Sequence, residues 1–450
     1  MSALFATIRL RDLVLQNRIM VAPMCQYSAE NGEANDWHFT HIDSLALSGA
    51  AMFCIEATHV EAIGRITPGC LGLWNDATEA ALKPIIASVR KHSNIAVAMQ
   101  LAHAGRKGSS HKPWDGGQQI RLSEGGWQTD GPSDAPHKEG ELPPRALDAQ
   151  GLKRVREAFV GAAKRAMRLG IDAIEVHSAH GYLLHQFLSP IANKRTDQYG
   201  GSLQNRMRYP LEVFDAIREA VPAGKPVGIK VSATDWVEGG WDIEQTIEYA
   251  GELKKRGVDW IDVSSAGVSP LQKIQLAPAY QVPFAEAIKK ATGLTTIAVG
   301  LITEAAQAEE IVASGKADMV ALARGMLYDP RWAWHAAAEL GGQVSAPPQY
   351  WRSQPSTQKH VRRALRFACA PPRTGHAHPT APCDRGALHL DRWKAHGWTS
   401  PSLRHRSPSG RARAAARKHA PCLCQRAFDR RRHARARYRG DARWRAHHLA

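Results

Sequence analysis

The stretch Ile171-Asp172-Ala173-Ile174-Glu175-Val176-His177-Ser178-Ala179-His180-Gly181-Tyr182 joins a short apolar run to a polar turn. Residues 171–176 are rich in Ile, Val and Ala, as expected for a strand that is buried on both faces. Two histidines and a tyrosine follow at the point where this strand should end. The segment therefore predicts a buried parallel strand whose carboxyl end carries polar, reactive side chains.

Seven further apolar runs are similar to residues 171–176 in length and composition. They cover residues 19–23, 51–58, 95–101, 227–232, 258–263, 295–299 and 318–323. Longer segments with helical periodicity lie between them, at residues 152–169, 206–221, 243–256, 283–291 and 304–314. Eight buried strands that alternate with helices predict a closed parallel barrel of the α/β class, a (β/α)8 TIM barrel.

An open doubly wound sheet is the competing arrangement, and it would normally show a glycine-rich turn after its first strand. Here that turn reads Ala22-Pro23-Met24-Cys25-Gln26-Tyr27, and no GxGxxG pattern occurs in the chain. We therefore favour the closed barrel. Residues 8–15 are expected to form a hairpin across its N-terminal mouth. The long loop of residues 107–144 is expected to shape or cover an active site at the opposite end.

The excess of positive charge lies entirely in residues 353–450. The whole chain has a formal net charge of +17, but residues 353–450 alone hold 23 Lys and Arg against 4 Asp and Glu. The first 352 residues hold 36 basic and 38 acidic side chains and should form one globular domain. The tail lacks apolar periodicity, so it is expected to be disordered. Either it is a basic arm that binds nucleic acid or, as we prefer, a frameshift near residues 355–367 replaced the natural C-terminus.

Cysteine usage and hydropathy indicate the compartment. Cys25, Cys54 and Cys70 are the only cysteines of the first 352 residues and show no CxxC spacing, which argues against a disulfide framework. The N-terminus lacks the pattern of a signal peptide, and no apolar run approaches the roughly 20 residues of a membrane span. We expect a soluble cytoplasmic protein.

Residues at the predicted strand ends suit a phosphate-bearing flavin. Loops after the seventh and eighth strands of such barrels commonly bind phosphate, which directs attention to Gly300 and Arg324. Gln100 could pair with the pyrimidine edge of a flavin, Lys230 could place positive charge beside its N1, and Cys25 could lie near its N5. Each signal is weak alone, because a buried Gln or a lone Cys is more often structural.

His177, His180 and Tyr182 form the strongest local signal. Two histidines at a strand end can both donate to one carbonyl oxygen, and a tyrosine that stays protonated can act as a general acid. A metal site is the rival interpretation, but neighbouring strand ends offer few carboxylates or thiolates, and we expect no metal. Two histidines with purely structural roles are less expected in a strand-end loop.

Together these residues resemble the Old Yellow Enzyme family of FMN-dependent ene-reductases, in the bacterial branch of the xenobiotic reductases and the "thermophilic-like" enzymes. The resemblance spans roughly residues 3–352. The motifs that carry it are residues 22–27, 175–183, 187–190, 193–206, 299–302 and 322–325.

The resemblance implies site residues and an activity. It implies FMN contacts at Ala22, Pro23, Met24, Cys25, Ala57, Gln100, Lys230, Gly300, Leu301, Ala323 and Arg324. It implies substrate contacts at Tyr27, His177, His180 and Tyr182. NADPH or NADH would deliver hydride to flavin N5, an electrophilic alkene would then take hydride at its β-carbon, and we assign the proton to Tyr182.

Two further features belong to the resemblance. Lys230 stands where the family leads us to expect Arg. Lysine keeps the positive charge but lacks the planar guanidinium fork of arginine. Gln349-Tyr350-Trp351-Arg352 resembles a segment with which this branch reaches a neighbouring subunit's active site. Trp351 and Arg352 are therefore expected to contact substrate across a subunit boundary in a homodimer or homotetramer.

Two other functions compete with the ene-reductase. A dienoyl-CoA-reductase-like flavoenzyme would need an iron–sulfur cluster, but Cys369, Cys383, Cys422 and Cys424 lack close CxxC-type spacing. A nucleic-acid-binding protein rests only on the basic tail, so we do not expect nucleic acid to be a partner.

Overall fold

Eight parallel strands close into a barrel in the computed structural model, which describes residues 2–354 and 360–362. In chain order they are β1 (Ile19–Val21), β2 (Met52–His59), β3 (Ala96–Ala102), β4 (Ala173–Ser178), β5 (Val227–Ser232), β6 (Ile261–Ser264), β7 (Thr296–Ala298) and β8 (Met319–Leu322). Each strand pairs with the next, and β8 pairs with β1 to close the ring. The predicted TIM barrel is confirmed, and every predicted apolar run overlaps one strand.

β4 runs two residues further than the sequence suggested. His177 pairs in register with Lys230 and Ser178 with Val231, so the ladder with β5 continues to Ser178. The prediction that His177 follows the strand is therefore wrong. The ladder continues because all six residues of β4 are buried, and buried backbone groups need partners. His177 consequently has the rigidity of a sheet residue, whereas His180 belongs to the turn.

Helices cover the outside of the barrel. They are α1 (Asp36–Ala46), α2 (Asp76–His92), α3 (Ala149–Arg168), α4 (Leu183–Leu188), α5 (Leu203–Ala220), α6 (Ile243–Lys255), α7 (Val282–Thr292), α8 (Ala305–Ala313), α9 (Arg324–Tyr328) and α10 (Trp332–Leu340). Asp148 and Asp242 cap α3 and α6, because their carboxylates accept from the backbone N–H groups of Gly151 and Gln245 at 2.7 and 2.9 Å. Gly293 ends α7 with φ of +68°, a conformation that glycine adopts without strain.

A short hairpin closes the N-terminal end of the barrel, as predicted. Its strands, Ile8–Leu10 and Leu13–Leu15, pair antiparallel. Leu10 and Leu15 are almost completely buried and pack against the barrel-interior residues Met20, Met52 and Met319. The barrel interior is therefore filled with side chains at this end, so a site in the interior would lie at the carboxyl ends of the strands.

The last described residues add a small pair of strands. Val344–Ser345 and Val361–Arg362 pair in parallel, with Val344 opposite Val361. The sequence assigned residues 361–362 to the tail, so ordered pairing extends beyond the predicted boundary at residue 352. The other predictions for residues 353–450, including disorder and a frameshift, fall almost entirely outside the described residues. In the part of the chain that the structure describes, no helix is long and apolar enough to cross a membrane.

Candidate active site

Three aromatic and imidazole rings meet at the carboxyl end of β4. The ring centroids of His177 and His180 are 5.3 Å apart with the planes at 79°. Those of His177 and Tyr182 are 4.9 Å apart at 85°, another edge-to-face contact. The structure thus brings the predicted substrate-binding histidines and the predicted proton donor into one cluster.

The turn that carries His180 is held in an unusual backbone conformation. His180 and Gly181 have φ of +56° and +73°. A Cβ on Gly181 would lie 2.1 Å from the carbonyl oxygen of Gly267, so only glycine allows this turn to approach the loop after β6. The close contact of the two loops fixes the position of His180 relative to β4.

The side chain of Lys107 links the turn after β4 to the loop after β6. Its ammonium group donates to the backbone oxygens of His180 and Gly267 at 2.8 and 2.9 Å, and it lies 4.9 Å from the ring centroid of Tyr182. Burial lowers the pKa of Lys107 to about 7. Sequence reasoning missed this residue, because a lysine at the start of a long loop carries no signal of its own. The loop does reach the site, as expected.

Both histidines are neutral near neutral pH. Burial holds the pKa of His177 and that of His180 well below the ordinary value for histidine, because desolvation disfavours the imidazolium. Nδ1 of His177 accepts a hydrogen bond from the backbone N–H of Ala179 at 3.2 Å. In the tautomer that this bond assigns, the remaining proton is on Nε2, which can donate to an acceptor in the site.

Tyr182 shares an apolar cluster with residues of the turn after β1. Tyr27, Cys70 and Tyr182 are buried together, and Cys25 packs against them. Burial raises the pKa of Tyr182 well above its ordinary value and does the same for the Cys25 thiol. Tyr182 therefore keeps its proton, and Cys25 is a thiol rather than a thiolate.

A buried charge network lies beside the cluster. Nζ of Lys230 donates to the carboxylate of Asp262 at 2.7 Å. The amide of Gln100 and the indole N–H of Trp260 donate to the two oxygens of Glu175 at 2.8 and 3.2 Å. Burial raises the pKa of both Glu175 and Asp262. Sequence reasoning missed both carboxylates, although an acid inside an apolar strand run is itself a signal, because it needs a buried partner.

The turns after β7 and β8 carry the residues at which the sequence predicts a phosphate site. Gly300 and Leu301 have φ of +107° and +53°. A Cβ on Gly300 would lie 2.7 Å from the amide nitrogen of Gln281, so the turn requires glycine. Ala323 precedes α9, and the exposed guanidinium of Arg324 makes no hydrogen bond to any described residue. A turn that requires glycine and an exposed guanidinium are both suited to a phosphate group, and the cofactor contacts at Gly300 and Arg324 stay predictions.

The other predicted cofactor contacts lie at neighbouring strand ends. The N–H of Ala22 donates to the Leu322 oxygen at 3.0 Å, which places Ala22 beside the turn of Ala323. Ala57 lies in β2 where its register with β3 shifts, between Ile55 and Thr58. Irregular strands of this kind are common beside active sites.

Trp351 and Arg352 lie in a short 3-10 helix, Pro348–Ser353. The indole N–H of Trp351 donates to the Ala346 oxygen at 3.0 Å, and its ring packs against the apolar core of its own chain. No hydrogen bond within the described residues links Trp351 or Arg352 to the ring cluster at His177. The role expected for these two residues across a subunit boundary stays a prediction.

A metal site was the rival interpretation of the two histidines. Among the described residues no group of three or more His, Cys, Asp or Glu side chains is arranged to hold a metal ion. Nε2 of His180 is already within 2.7 Å of the Ser264 hydroxyl.

Comparison with known proteins finds relatives among the NAD(P)H-dependent oxidoreductases. A model of the NADH:flavin oxidoreductase / NADH oxidase family matches residues 3–342. An NADH:flavin oxidoreductase of Gibberella zeae is 42% identical over 363 residues, which cover 77% of this chain and 87% of that protein. An NADPH dehydrogenase of Geobacillus sp. is 40% identical over 351 residues, which cover 78% of this chain and 98% of that protein.

Solved structures agree with these relatives. A morphinone reductase structure in complex with tetrahydroNAD matches with a TM-score of 0.62 at 29% identity, and the match covers 77% of this chain and 93% of that chain.

Proposed function

The chain belongs to the NADH:flavin oxidoreductase / NADH oxidase family, and on that premise we propose that it reduces activated carbon–carbon double bonds. It is an FMN-dependent oxidoreductase of the Old Yellow Enzyme family that uses a nicotinamide as electron donor. The proposed substrates are α,β-unsaturated carbonyl and nitro compounds and related xenobiotics. FMN held at this face of the barrel would supply the hydride.

One observation supports this proposal above the others: two neutral imidazoles and a protonated phenol lie within one ring cluster. Neutral His177 can donate from Nε2 to a carbonyl or nitro oxygen, and a second donor from His180 would polarise the conjugated double bond further. Tyr182 remains protonated and can release its proton to the α-carbon while hydride reaches the β-carbon. A charged imidazolium is not needed, because a hydrogen bond in a buried site is already strong.

The residues proposed to hold FMN lie on the same face of the barrel. Gly300, Leu301, Ala323 and Arg324 would hold the phosphate. Gln100 and Lys230 would contact the polar edge of the flavin ring, and Ala57 together with residues 22–25 would contact the ring itself. Tyr27 would border the substrate beside Tyr182, because the two share one apolar cluster. Trp351 and Arg352 would reach substrate only from a second copy in a dimer or tetramer.

The experiment is an anaerobic redox cycle of the purified, FMN-loaded protein. NADPH or NADH should bleach the flavin absorption, and cyclohexenone or a nitroalkene should restore it, whereas cyclohexanone should not. Failure of every activated alkene to reoxidise the bleached protein would overturn the proposal.

A variant tests the site directly. His177→Ala should retain FMN but lose at least tenfold in the affinity for a phenol probe and in kcat/KM for cyclohexenone, because one buried donor is removed. The same affinity and turnover as the unaltered protein would contradict the role given to His177.

A further inference from the structure

We propose that Ser264 is a positioning residue that fixes the tautomer of His180, so that the Nδ1–H of His180 is the second donor to the substrate oxygen. The inference rests on the proposed function, because it assigns His180 to that oxygen. It concerns a hydroxyl group at the end of β6 that need not itself touch the substrate.

His180 is held at three separate atoms. Its backbone N–H donates to the hydroxyl of Ser232 at 2.9 Å, and its backbone oxygen accepts from Lys107. Nε2 of its ring is 2.7 Å from the hydroxyl oxygen of Ser264. With backbone and Nε2 both engaged, Nδ1 is the ring nitrogen left for a ligand.

The direction of the Ser264 hydrogen bond follows from the next partner. Oε1 of Gln281 accepts from the hydroxyl of Ser265 at 2.6 Å, while the hydroxyl of Ser264 is 3.3 Å from the same oxygen. At 3.3 Å the contact from the Ser264 hydroxyl to Gln281 is longer than an ordinary O–H···O bond, so we assign the hydroxyl hydrogen of Ser264 to the 2.7 Å contact with Nε2 of His180. An imidazole that accepts at Nε2 and stays neutral carries its proton on Nδ1.

This arrangement gives the two histidines complementary roles. Nδ1 of His177 accepts from Ala179, so His177 presents Nε2–H. With the Ser264 hydrogen assigned to Nε2 of His180, 2.7 Å away, His180 presents Nδ1–H. Two neutral imidazoles can then donate to one oxygen at the same time. Without Ser264 the proton of His180 can move to Nε2, and Nδ1 would face the substrate oxygen as a second acceptor.

Gln281 connects the network to the predicted phosphate turn. Its side chain is buried, and its amide nitrogen occupies the space that a Cβ on Gly300 would need. Because Gly300 has no Cβ, the amide of Gln281 fits beside it, and the oxygen of this amide can accept from the hydroxyl of Ser265.

The experiment compares Ser264→Ala with Ser264→Thr in the FMN-loaded protein. Ser264→Ala should weaken binding of p-hydroxybenzaldehyde, followed through its charge-transfer absorption, and kcat/KM for cyclohexenone by about tenfold or more. Ser264→Thr keeps a hydroxyl and should restore both to within about threefold. Ser178→Ala is the matched control, because it removes a buried serine hydroxyl near Tyr249 rather than one near His180, and it should change neither.

A spectroscopic measurement separates positioning from general structural damage. Nitrogen NMR of the labelled histidines should show the Nδ1–H tautomer for His180 and the Nε2–H tautomer for His177, with only the former changed by Ser264→Ala. An Nε2–H tautomer of His180 in the unaltered protein, or probe binding unaffected by Ser264→Ala, would overturn the inference. Loss of enone reduction by the unaltered protein would instead refute the proposed function, because the tautomer is measured independently of turnover.

Discussion

Lys230 shows how a single side chain depends on its buried neighbours. Its ammonium group is paired with Asp262, and the coulombic influence of Glu175 also reaches it. Two carboxylates therefore share one buried cation. The charge that the sequence assigned to the flavin edge is already partly balanced by the protein itself.

We predict that Lys230→Met lowers the free energy of unfolding by roughly 3–5 kcal/mol, because Asp262 would lose its counter-ion in a buried site. The loss should be larger at pH 8 than at pH 6, since the carboxyl groups can take up protons at the lower pH. Denaturant unfolding at both pH values measures this loss in the free energy of unfolding. Lys289→Met is the control: its pair with Asp318 is partly exposed, and its loss should cost about 1 kcal/mol or less. Equal losses in the two variants would contradict the prediction.

The lowered pKa of the site histidines gives a pH prediction at the same scale. Because burial keeps His177 and His180 neutral, kcat/KM for a neutral enone should show no inflection near pH 6.5, the ordinary histidine value. The two imidazoles should reduce activity only at more acidic pH, where they begin to take up protons, whereas Lys107, with a pKa of about 7, titrates inside the neutral range. A pH profile from 5.5 to 8 tests this, and an inflection near 6.5 that is lost in His180→Asn would contradict it.

At the scale of elements, the loop after β3 is attached to the loops after β4 and β6. Lys107 bonds to both of these loops, and Arg106 donates to the backbone oxygens of Ala135 and Val268 at 3.1 and 2.7 Å. The long loop of residues 107–144 is thus part of the site wall. Its attachments are side-chain bonds to backbone oxygens, which local sequence patterns do not report.

Lys107→Met should separate the loops after β4 and β6, because two backbone oxygens lose their donor. We expect at least a tenfold fall in kcat/KM and faster proteolysis within residues 107–144, with FMN still bound. Arg121→Met is the control, since Arg121 is an exposed cation in the same loop, paired with Glu124 at 3.9 Å, and its loss should leave turnover unchanged. Wild-type rates of turnover and cleavage for Lys107→Met would show that the attachment is dispensable.

For the whole molecule, buried histidines link stability to pH. Burial lowers the pKa of His38 to about 4 and that of His59 to about 3. The unfolded chain binds protons at these residues below about pH 6.5, whereas the folded chain does not. Their stabilising contribution is therefore complete above pH 6.5 and is lost as pH falls toward 3.

This loss of stability can be followed by measuring Tm as a function of pH. Tm should decline between pH 6.5 and 4 for the unaltered protein, and the decline should be shallower in His59→Gln, which has no group to protonate there. Identical slopes for the two proteins would show that His59 does not contribute to the acid sensitivity.

The C-terminal boundary gives a second prediction for the whole molecule. A chain that ends at residue 352 lacks Val361, which pairs with Val344, and should melt several degrees below a chain that ends at residue 366. Both should bind FMN, because the proposed cofactor residues all precede residue 325. A lower flavin content only in the shorter chain would show that the strand pair also supports the site.

The sequence by itself determined the barrel and the face on which the proposed site residues lie. Apolar runs buried on both faces leave few alternatives to parallel strands, and parallel strands align their carboxyl ends, so His177, Lys230 and Gly300 could be assigned to one face from order alone. Tertiary structure alone decided that β4 continues through His177 and that Lys107 and Ser264 bond to His180. These bonds join residues 73 and 84 positions apart in the chain. No local periodicity records such contacts, because they depend on how loops from different strands meet in space.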